Sequence, residues 1–413
     1  MVKEFRYKSK KYTHFDKKIC VKDAKNYIEN PQKIATHSFY PLIHFTNKWV
    51  KYSSENGRKK KPRELCYAAH MDSYIYQLYG YKLNDLYNKK VKDIGINNCA
   101  TAYRNNIHKS NIEFAYEVFK HIRKTCNAIV IVGDFTHFFD RIDHKYLKER
   151  LCDLLETNKL PDDYYAIYKN ITKYSKMELD ELLKLNGGIT YKELNNKETV
   201  LSIGEFRKHK KRYLYSNREN YGIPQGTSIS AVLSNVFMIE FDRQINNYVT
   251  SKKGMYRRYS DDFILILPWV DDTELKNVWS FLEICVGKVT NLELQPSKTN
   301  AFHYTREKIL SCNTLIFPEL KNSKNVLEYL GFAFDGKYVY LRDKTVSKYY
   351  YRMNRKVDNI LSCKYRTGKK IPRYKLYKKY SHLGSTSRKV KDGNFLTYVN
   401  RCESVFGKNE SQK

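Results

Sequence analysis

The sequence Arg257-Arg258-Tyr259-Ser260-Asp261-Asp262-Phe263-Ile264-Leu265-Ile266-Leu267 places two adjacent carboxylates directly before an apolar run. The run 263–267 is typical of a buried strand, and residues 256–259 are suited to be its hairpin partner. This pattern puts Asp261 and Asp262 at the tip of a tight hairpin. Adjacent acids at a turn are most often solvated turn residues, so the pair alone does not define a functional site.

A second acid, Asp134, ends another apolar run, Ile129-Val130-Ile131-Val132-Gly133. Acids at the ends of two distant strands can share a pair of Mg²⁺ ions, because Mg²⁺ prefers hard oxygen ligands and is typically held by carboxylates together with substrate phosphates. Two such ions can clamp the attacking and leaving oxygens of a phosphoryl transfer. The three acids are therefore candidates for a magnesium-dependent site.

Composition indicates the class of partner. The 413 residues include 76 basic and 44 acidic side chains and carry a formal net charge of +32, which favours nucleic acid as the partner. A generally basic protein or one that binds an anionic membrane is the alternative. No apolar run of 18 residues and no signal peptide is visible. Nine cysteines without a Cys-x-x-Cys pair fit a reducing cytoplasm and argue against a zinc site.

The remaining sequence alternates helical and strand periodicity. Helices are expected at 70–90, at 111–123, from the end of the segment 138–144 through 155, at 229–246 and at 273–289. Strands are expected at 64–67 after a turn at 57–63, at 128–134 and at 292–299, with a hairpin turning at Asp-Gly within 327–340. Residues 1–60 are expected to be ordered, and residues 156–218 are interpreted as a partly helical insertion.

The tail from residue 341 is expected to be helical and basic. Lys348, Arg352 and Arg355 form a cationic stripe beside an apolar face. Such a stripe is often only a solvated face. In a chain of this charge, a track for phosphates is the favoured interpretation.

Taken in chain order, these motifs resemble those of reverse transcriptases, over roughly residues 57–340. Tyr259-Ser260-Asp261-Asp262 resembles the family's Tyr-x-Asp-Asp box. Asp134 with Phe139-Asp140-Arg141-Ile142-Asp143-His144 resembles the palm motif that carries the first catalytic Asp. Gly222-Ile223-Pro224-Gln225-Gly226 resembles the loop that contacts template and incoming nucleotide. Arg63 with its Lys neighbours, Tyr103-Arg104-Asn105 and Tyr329-Leu330-Gly331-Phe332 resemble two fingers motifs and the primer grip.

The resemblance implies an α+β right-hand polymerase with an antiparallel palm sheet flanked by helices and a short, helical, basic thumb. The expected divisions are an N-terminal extension (1–56), fingers (57–127), palm (128–155 and 219–340), the insertion (156–218) and the thumb (341–413). Asp134 and Asp261 are expected to hold two Mg²⁺ ions, with Asp262 assisting, for nucleotidyl transfer without a covalent enzyme intermediate.

The resemblance and the charge pattern also give candidate substrate contacts. The nucleotide-binding candidates are Phe139, Gln225, Lys61, Arg63, Arg104 and Lys298, and the primer–template candidates are Tyr259, Gly226, Leu330, Gly331, Lys348, Arg352 and Arg355. Phe139 is expected under the sugar, where it would exclude a 2′-hydroxyl and select dNTPs, although a core position is the alternative. Lys298 is interpreted either as a proton donor to pyrophosphate or as an exposed strand-end lysine.

About 70 residues follow the primer grip, which leaves no room for an RNase H, maturase or endonuclease domain. Val-Thr-Gly and Asn-Ala-x-x-His elements of retron enzymes are not found. The chain therefore most resembles bacterial defence-associated and abortive-infection reverse transcriptases. That resemblance implies a cytoplasmic antiphage enzyme. Its expected partners are a dedicated noncoding RNA, the DNA product and dNTPs, and no membrane is expected. Homo-oligomerisation is left open.

Two other functions fit the same sequence. One is untemplated or homopolymeric DNA synthesis by the same site, with a protein hydroxyl as a primer. The other is an RNA-binding scaffold with a vestigial polymerase core, which the intact Asp134, Gln225, Asp261 and Asp262 disfavour. The sequence of the DNA product distinguishes the first alternative from templated synthesis.

Overall fold

The computed structural model describes residues 5–53, 57–319, 321–367, 373–385 and 393–407, without the side chains of residues 48–61, 364, 366 and 367. The strands are β1 (Leu42–Ser53), β2 (Gly57–Tyr67), β3 (Asn127–Asp134), β4 (Ser175–Glu178), β5 (Tyr215–Ser216), β6 (Met255–Tyr259), β7 (Asp262–Pro268), β8 (Asn300–Thr305), β9 (Lys308–Ser311), β10 (Leu327–Tyr329), β11 (Phe332–Phe334) and β12 (Val339–Leu341).

The helices are α1 (Val21–Ile28), α2 (Pro31–Ala35), α3 (His70–Asp93), α4 (Asn111–Thr125), α5 (His144–Leu155), α6 (Asp162–Thr172), α7 (Leu179–Leu185), α8 (Tyr191–Leu194), α9 (Ile203–Tyr213), α10 (Ser230–Phe237), α11 (Ile239–Ser251), α12 (Asp272–Gly287), α13 (Asn313–Ile316), α14 (Asp343–Thr367), α15 (Tyr374–Tyr380) and α16 (Phe395–Phe406). Short 3₁₀ turns lie at Phe138–Arg141, Pro296–Lys298 and His382–Gly384.

A five-stranded antiparallel sheet in the order β6-β7-β3-β8-β9 lies at the centre of the molecule. Side chains alternate across its two faces, as the period of a strand requires. Ile129 and Ile131 of β3 pack on one face with residues of α11 and α12, whereas Val130 and Val132 pack on the other with α4, β10–β12 and α16. Because both faces are covered, the central strands consist of apolar runs rather than alternating polar and apolar residues. This α+β architecture confirms the predicted fold class.

A second, four-stranded sheet has the order β2-β1-β4-β5. Strands β1 and β2 form a hairpin, and β4 pairs with β1 in parallel. The boundary expected at residue 56 therefore falls within one hairpin, and residues 1–56 are not a separate extension. Residues 156–218 are likewise not a detached insertion, because β4 and β5 belong to the same sheet. A shared core of Phe15, Ile43, Met177, Leu182, Leu194, Val200 and Leu201 holds these parts together.

Three sequence-based expectations change in detail. The helix expected at 229–246 is two helices, α10 and α11, separated at Met238, whose ψ of 1° departs from the helical value. The strand expected at 292–299 is a loop that ends in a 3₁₀ turn, because Pro296 has no N–H for a strand ladder. Residues 327–340 begin a three-stranded sheet, β10-β11-β12, which has a turn at Leu330–Gly331 as well as the Asp335–Gly336 turn.

The turn expected at 57–63 is instead the first part of strand β2, which pairs with β1 from Gly57 onward. The other expected elements, including α3, α4, α5, α12 and the β6–β7 hairpin, are present within a few residues of their predicted ends. Within the described residues, no helix combines the length and the apolar character needed to cross a membrane.

Candidate active site

Asp134, Asp261 and Asp262 meet at one end of the central sheet. The antiparallel register of β3 and β7 places Asp134 directly opposite Asp262. Tyr259 pairs with Asp262 across the β6–β7 hairpin, so Ser260 and Asp261 form its two-residue turn. Ser260 has a φ of +63°, in the left-handed region that tight hairpin turns require. Strand register and turn geometry thus bring three carboxylates from two distant sequence segments to one place.

Burial and the neighbouring carboxylates disfavour the ionisation of Asp261 and Asp262. Burial and then the charge of Asp134 raise the pKa of Asp261 above the ordinary value of an aspartate. Loss of hydration and the charges of Asp261 and Asp134 raise the pKa of Asp262 to about 7, although its side chain lies on the open, solvent-exposed side of the cluster. Like charges that share a site shift pKa values in this direction. A bound cation would relieve this repulsion.

Asp134 has one satisfied and one unsatisfied oxygen. Its Oδ2 atom accepts a hydrogen bond from the ammonium group of Lys298, whereas its buried Oδ1 atom has no hydrogen-bond partner among the described residues. Buried polar atoms are usually satisfied, so an orphaned carboxylate oxygen beside two other acids fits a divalent cation with hard oxygen ligands. Within the described part of the chain, however, no group of three or more His, Cys, Asp or Glu side chains forms a ready-made metal site. Lys298 instead supplies the positive charge at Asp134.

A buried ion pair supports the hairpin that carries Asp261 and Asp262. Arg258 of β6 is fully buried, and its guanidinium donates two hydrogen bonds to Asp242 of α11, at 2.8 and 2.6 Å. The same guanidinium donates to the carbonyl oxygen of Ser260 at 2.8 Å. Arg258 therefore connects the helix behind the sheet to the strained residue of the turn. The sequence analysis did not assign this role, and the signal available to it was an Arg at an inward-facing position of β6.

Phe139 and the loop 222–228 lie on the side expected to receive the nucleotide. Phe138 is buried, whereas the ring of Phe139 is half-buried and contacts Phe138 edge-on at 5.5 Å between centroids. The backbone N–H of Ile223 donates to the carbonyl oxygen of Phe139 at 2.9 Å, which ties the loop to this segment. Phe139 therefore presents part of its ring outside the core, as a sugar contact requires.

Gln225 and Gly226 pack tightly against β2. The N–H of Cys66 donates to the carbonyl oxygen of Gln225 at 2.7 Å. A Cβ atom at Gly226 would lie 2.5 Å from the carbonyl oxygen of Cys66, and Gly226 has a φ of +107°. Only glycine fits this conformation and this close approach. The loop is thus fixed against the first hairpin.

The three fingers cations have different surroundings. Lys61 lies on β2 opposite Trp49, but its side chain is outside the described residues. Arg63 is exposed on the same strand. Arg104 is buried, and its guanidinium makes hydrogen bonds with Asn88, Asn97 and the carbonyl oxygen of Ala100. The expectation that Arg104 neutralises a triphosphate is corrected: these bonds direct its guanidinium into the supporting structure.

The residues expected to hold a primer lie near the third sheet. Leu330 and Gly331 have φ values of +46° and +97° and form the tight turn between β10 and β11. The side-chain amide of Asn111, at the start of α4, donates to the carbonyl oxygen of Leu330 at 3.0 Å. Tyr259 is half-buried and lies beside Asp262 across the hairpin ladder. The turn and Tyr259 are therefore anchored to the elements that flank the carboxylates.

The basic residues of the tail follow one helix. Lys348, Arg352 and Arg355 lie on the exposed surface of α14. Lys348 and Arg352 also line a cavity of about 590 Å³ that α15 and the start of α16 complete with Lys375, Lys378, Lys379, Tyr380 and Phe395. This concentration of cations fits a polyanionic ligand. Arg342, just before α14, is a further cation that the sequence analysis missed, and its charge lowers the pKa of Asp262 against the other influences.

Comparison with known proteins adds a family assignment. A family model described as "Reverse transcriptase (RNA-dependent DNA polymerase)" matches residues 73–334, which is more than half of the chain. The match includes all three carboxylates, the loop 222–228 and the turn at Leu330–Gly331. No curated protein matches the sequence.

Solved structures to which the chain is similar include telomerases of two Candida species. Apo telomerase from Candida tropicalis, truncated from its C-terminal domain, is 11% identical with a TM-score of 0.44, and the match covers 76% of this chain and 57% of that chain. Telomerase from Candida albicans with a fragment of telomeric RNA is 13% identical with a TM-score of 0.43, covering 78% and 48%. Apo telomerase from Candida tropicalis is 14% identical with a TM-score of 0.40, covering 72% and 47%. The chain thus spans about half the length of these proteins.

Proposed function

The chain belongs to the reverse transcriptase family, and from this premise we propose that it is an RNA-directed DNA polymerase that makes cDNA by nucleotidyl transfer. The observation that carries the proposal is the register of β3 and β7, which sets Asp134 opposite Asp262 and next to Asp261. Burial, and after it the charges of the neighbouring acids, raise the pKa values of Asp261 and Asp262, and the contribution of Asp134 to both supports a shared cation site.

Two Mg²⁺ ions are proposed as the cofactor, held by Asp134 and Asp261 with Asp262 assisting. When bound, such ions stabilise the charge that develops on the transferring phosphate and activate the attacking hydroxyl. The orphaned Oδ1 atom of Asp134 supports a cation at this position. Lys298, which contacts Oδ2 of Asp134, would move away from that oxygen when the metal sites fill.

The residues around the acids are proposed to position the substrates. Phe139 would lie under the sugar and exclude a 2′-hydroxyl, while Gln225 and Gly226 would contact the base pair that forms. Lys61 and Arg63 remain the proposed triphosphate contacts of the fingers. Lys298 would either donate a proton to the leaving pyrophosphate or serve only as the counter-charge of Asp134.

The fingers, palm and thumb are proposed to lie in consecutive parts of the chain. Residues 57–127, together with strand β1 of the same hairpin, would act as fingers, residues 128–155 and 219–340 as palm, and residues 341–413 as thumb. Tyr259, Leu330 and Gly331 would hold the primer end. Lys348, Arg352 and Arg355 would follow the nucleic-acid backbone along α14, where their exposure supports this role.

The finer part of the proposal concerns biology. We propose that the template is a dedicated noncoding RNA and that the enzyme acts in the cytoplasm of bacteria, in defence against bacteriophage. The net charge of +32 supports a polyanionic partner. All nine cysteines, each within the described residues, are free thiols, which supports a reducing compartment.

The decisive experiment purifies the protein together with the RNA that accompanies it. Mg²⁺ and the four dNTPs are supplied singly and together, and the DNA product is sequenced. The Asp261→Asn variant is expected to make no DNA while it still binds RNA. Asp93→Asn, which removes an exposed carboxylate at the end of α3, is the matched control and is expected to keep full activity.

The product decides between the alternatives. DNA complementary to a defined part of the co-purified RNA establishes templated reverse transcription. A long homopolymer made from one dNTP instead supports untemplated synthesis, and DNA covalently attached to a tyrosine supports protein priming. If no DNA forms under any of these conditions, even after phage lysate is added, the polymerase proposal is rejected. That result would support the alternative of an RNA-binding scaffold.

A further inference from the structure

A pocket of about 550 Å³ opens beside the loop 222–228. We call it the aromatic pocket and define it by Tyr12, Phe45, Tyr67, Leu179, Tyr191 and Gly226. A volume of this size is typical of a small-molecule site. Its lining comes from four parts of the chain: the N-terminal segment, the β1–β2 hairpin, residues 156–218 and the loop that contains Gly226. Tyr12, Phe45 and Tyr67 lie before the region that matches the family model.

The rings of the pocket are held in place. The ring centroids of Tyr12 and Tyr67 are 4.5 Å apart, and those of Phe45 and Tyr67 are 6.0 Å apart. The hydroxyl of Tyr12 donates to the carbonyl oxygen of Ala68 at 2.7 Å, which fixes the orientation of its ring. Tyr191 is 44% exposed and lies at the rim. The pocket therefore offers preformed aromatic surfaces with one accessible edge.

A residue that lines the pocket carries a polar group without a partner among the described residues. The hydroxyl of Tyr67 is buried and makes no hydrogen bond within the described residues. Burial also raises the pKa of Tyr67, so this hydroxyl stays protonated and can both donate and accept. A buried hydroxyl without a partner is unusual, so this group is free to pair with a polar atom of a ligand.

The pocket is connected to the candidate active site by short contacts. Its wall at Cys66 bonds to the carbonyl oxygen of Gln225 at 2.7 Å, and Ile223 of the same loop bonds to Phe139 at 2.9 Å. A ligand in the pocket would therefore lie one loop away from the proposed nucleotide position.

An exposed cation lies on the strand that lines the pocket. Arg63 precedes Leu65 and Tyr67 on β2, and alternation along the strand puts all three on the same face. The nearby acids Glu64 and Glu178 both contact the ring of His44. Aromatic side chains stack on unpaired bases of any sequence, and a polar group at the pocket can read a base edge.

We propose that the aromatic pocket binds an unpaired nucleobase of the RNA template strand before that strand reaches the carboxylates. This inference rests on the proposed polymerase function and specifies the path of its template. It assigns Tyr12, Tyr67 and Tyr191 to template binding and gives the N-terminal segment and residues 156–218 a common purpose.

Photo-crosslinking tests the location. The probe is a series of primed RNA templates with a single-stranded 5′ overhang. Each template carries a single 4-thiouridine at a different position of the overhang. At one position or a few adjacent positions, the crosslinked peptide is expected to contain Tyr12, Tyr67 or Tyr191. Crosslinks that form only to other peptides at every position would overturn the proposal.

Binding measurements test the role. Tyr191→Ala is expected to weaken binding of the overhanging template by roughly fivefold or more, as loss of one base stack predicts, without weakening a blunt primer–template. Tyr165→Ala, which removes a comparably exposed tyrosine from α6, is the matched control and should change neither. Unchanged binding by Tyr191→Ala, or an equal loss with the blunt duplex, would contradict a base pocket.

A second variant separates stacking from hydrogen bonding. Tyr67→Phe keeps the ring and removes the unpartnered hydroxyl, so it is expected to reduce the difference in affinity among the four bases at the crosslinked position. If that difference is unchanged, the hydroxyl does not read the base, and this part of the proposal is wrong. These assays measure RNA contact without catalysis, so a lack of DNA synthesis would count against the polymerase function and not against the pocket.

Discussion

The ionisation of Asp262 is disfavoured by burial and by the charges of two neighbouring acids. Asp262 lies opposite Asp134 in the ladder and next to Asp261 in sequence, and its pKa is raised to about 7. An aspartate in an unfolded chain has a pKa of about 3.9. The folded state therefore binds this proton more tightly than the unfolded state does.

This difference predicts how stability depends on pH without metal. Because the folded-state pKa of Asp262 is raised, its favourable contribution is fully present below about pH 4 and is lost as the pH rises towards about 7. Asp262→Asn cannot ionise and should lack this loss. In urea unfolding with EDTA, the stability of the wild type relative to Asp262→Asn is expected to fall across that window.

Two comparisons complete this measurement. Adding Mg²⁺ at pH 8 should raise the stability of the wild type more than that of Asp262→Asn, since the ion relieves the repulsion. A relative stability that stays constant from pH 4 to 8 would show that the carboxylates do not interact in the folded protein.

Phe139 is the residue proposed to discriminate between deoxyribonucleotides and ribonucleotides. Its half-buried ring, five residues after Asp134, is proposed to exclude the 2′-hydroxyl of a ribonucleotide. Phe139→Val removes that obstacle and should lower the preference for dNTP over NTP by roughly tenfold or more, about 1.4 kcal/mol at the transition state. The measurement is kcat/KM for dGTP and GTP on one primer–template.

The matched control for this variant is Phe139→Tyr, which keeps the ring and should preserve the discrimination. If Phe139→Val discriminates as strongly as the wild type, Phe139 is a packing residue and the sugar contact lies elsewhere.

At the scale of elements, the β6–β7 hairpin depends on helix α11. Arg258 and Asp242 are both fully buried, and the pair also fixes the carbonyl oxygen of Ser260. Removing one partner of a buried ion pair leaves an uncompensated charge, which typically costs about 3–5 kcal/mol. Asp242→Asn is thus expected to lower the free energy of unfolding by an amount in this range.

The exposed pair Lys17–Glu198 provides the control for this prediction. Its side chains are about 70% exposed, so Glu198→Gln should change stability by less than about 1 kcal/mol. Asp242→Asn should also raise the Mg²⁺ concentration needed for half-maximal DNA synthesis, because the turn that carries Asp261 is no longer held. A variant that is destabilised but shows the wild-type Mg²⁺ dependence would limit Arg258 and Asp242 to a role in folding.

The sequence predicted elements whose pattern is local. The apolar runs of β3 and β7 and the acids at their ends follow from consecutive residues, and so does the helical spacing of α3. The partner of β1 was not predictable, because the pairing of β1 with β4 joins residues more than 130 positions apart. Arg104 was misassigned for a similar reason: a sequence does not show that Asn88 and Asn97 occupy its guanidinium.

At the scale of the whole molecule, the sheet β2-β1-β4-β5 changes how the chain is divided. The N–H of Thr13 donates to Asn195, and the N–H of Val200 donates to the carbonyl oxygen of His14. Residues that precede the family match are thus fastened to residues 156–218 within it. Both segments lie beside the loop 222–228, where they extend the proposed template path.

The basic surface of α14 gives the last prediction. Counterions released from nucleic acid make binding weaken with salt, and contacts to six to ten phosphates would lower affinity roughly 10³–10⁵-fold between about 50 and 200 mM. Each exposed arginine of α14 that contacts a phosphate adds about 0.9 to the slope of log K against log[salt] for a duplex, or about 0.7 for a single strand. Arg352→Gln and Arg355→Gln should each reduce the slope by this amount.

The control is Lys276→Gln, which removes an exposed charge from α12, away from the proposed thumb. Lys276→Gln and Arg352→Gln each remove one positive charge. A general effect of net charge would therefore change the salt slope of both variants by the same amount. Slopes that differ between the two variants locate the phosphates on α14, because only a released counterion at a specific contact changes the slope by about one unit. Equal slopes in the wild type and both arginine variants would instead place the nucleic acid on another surface of the molecule.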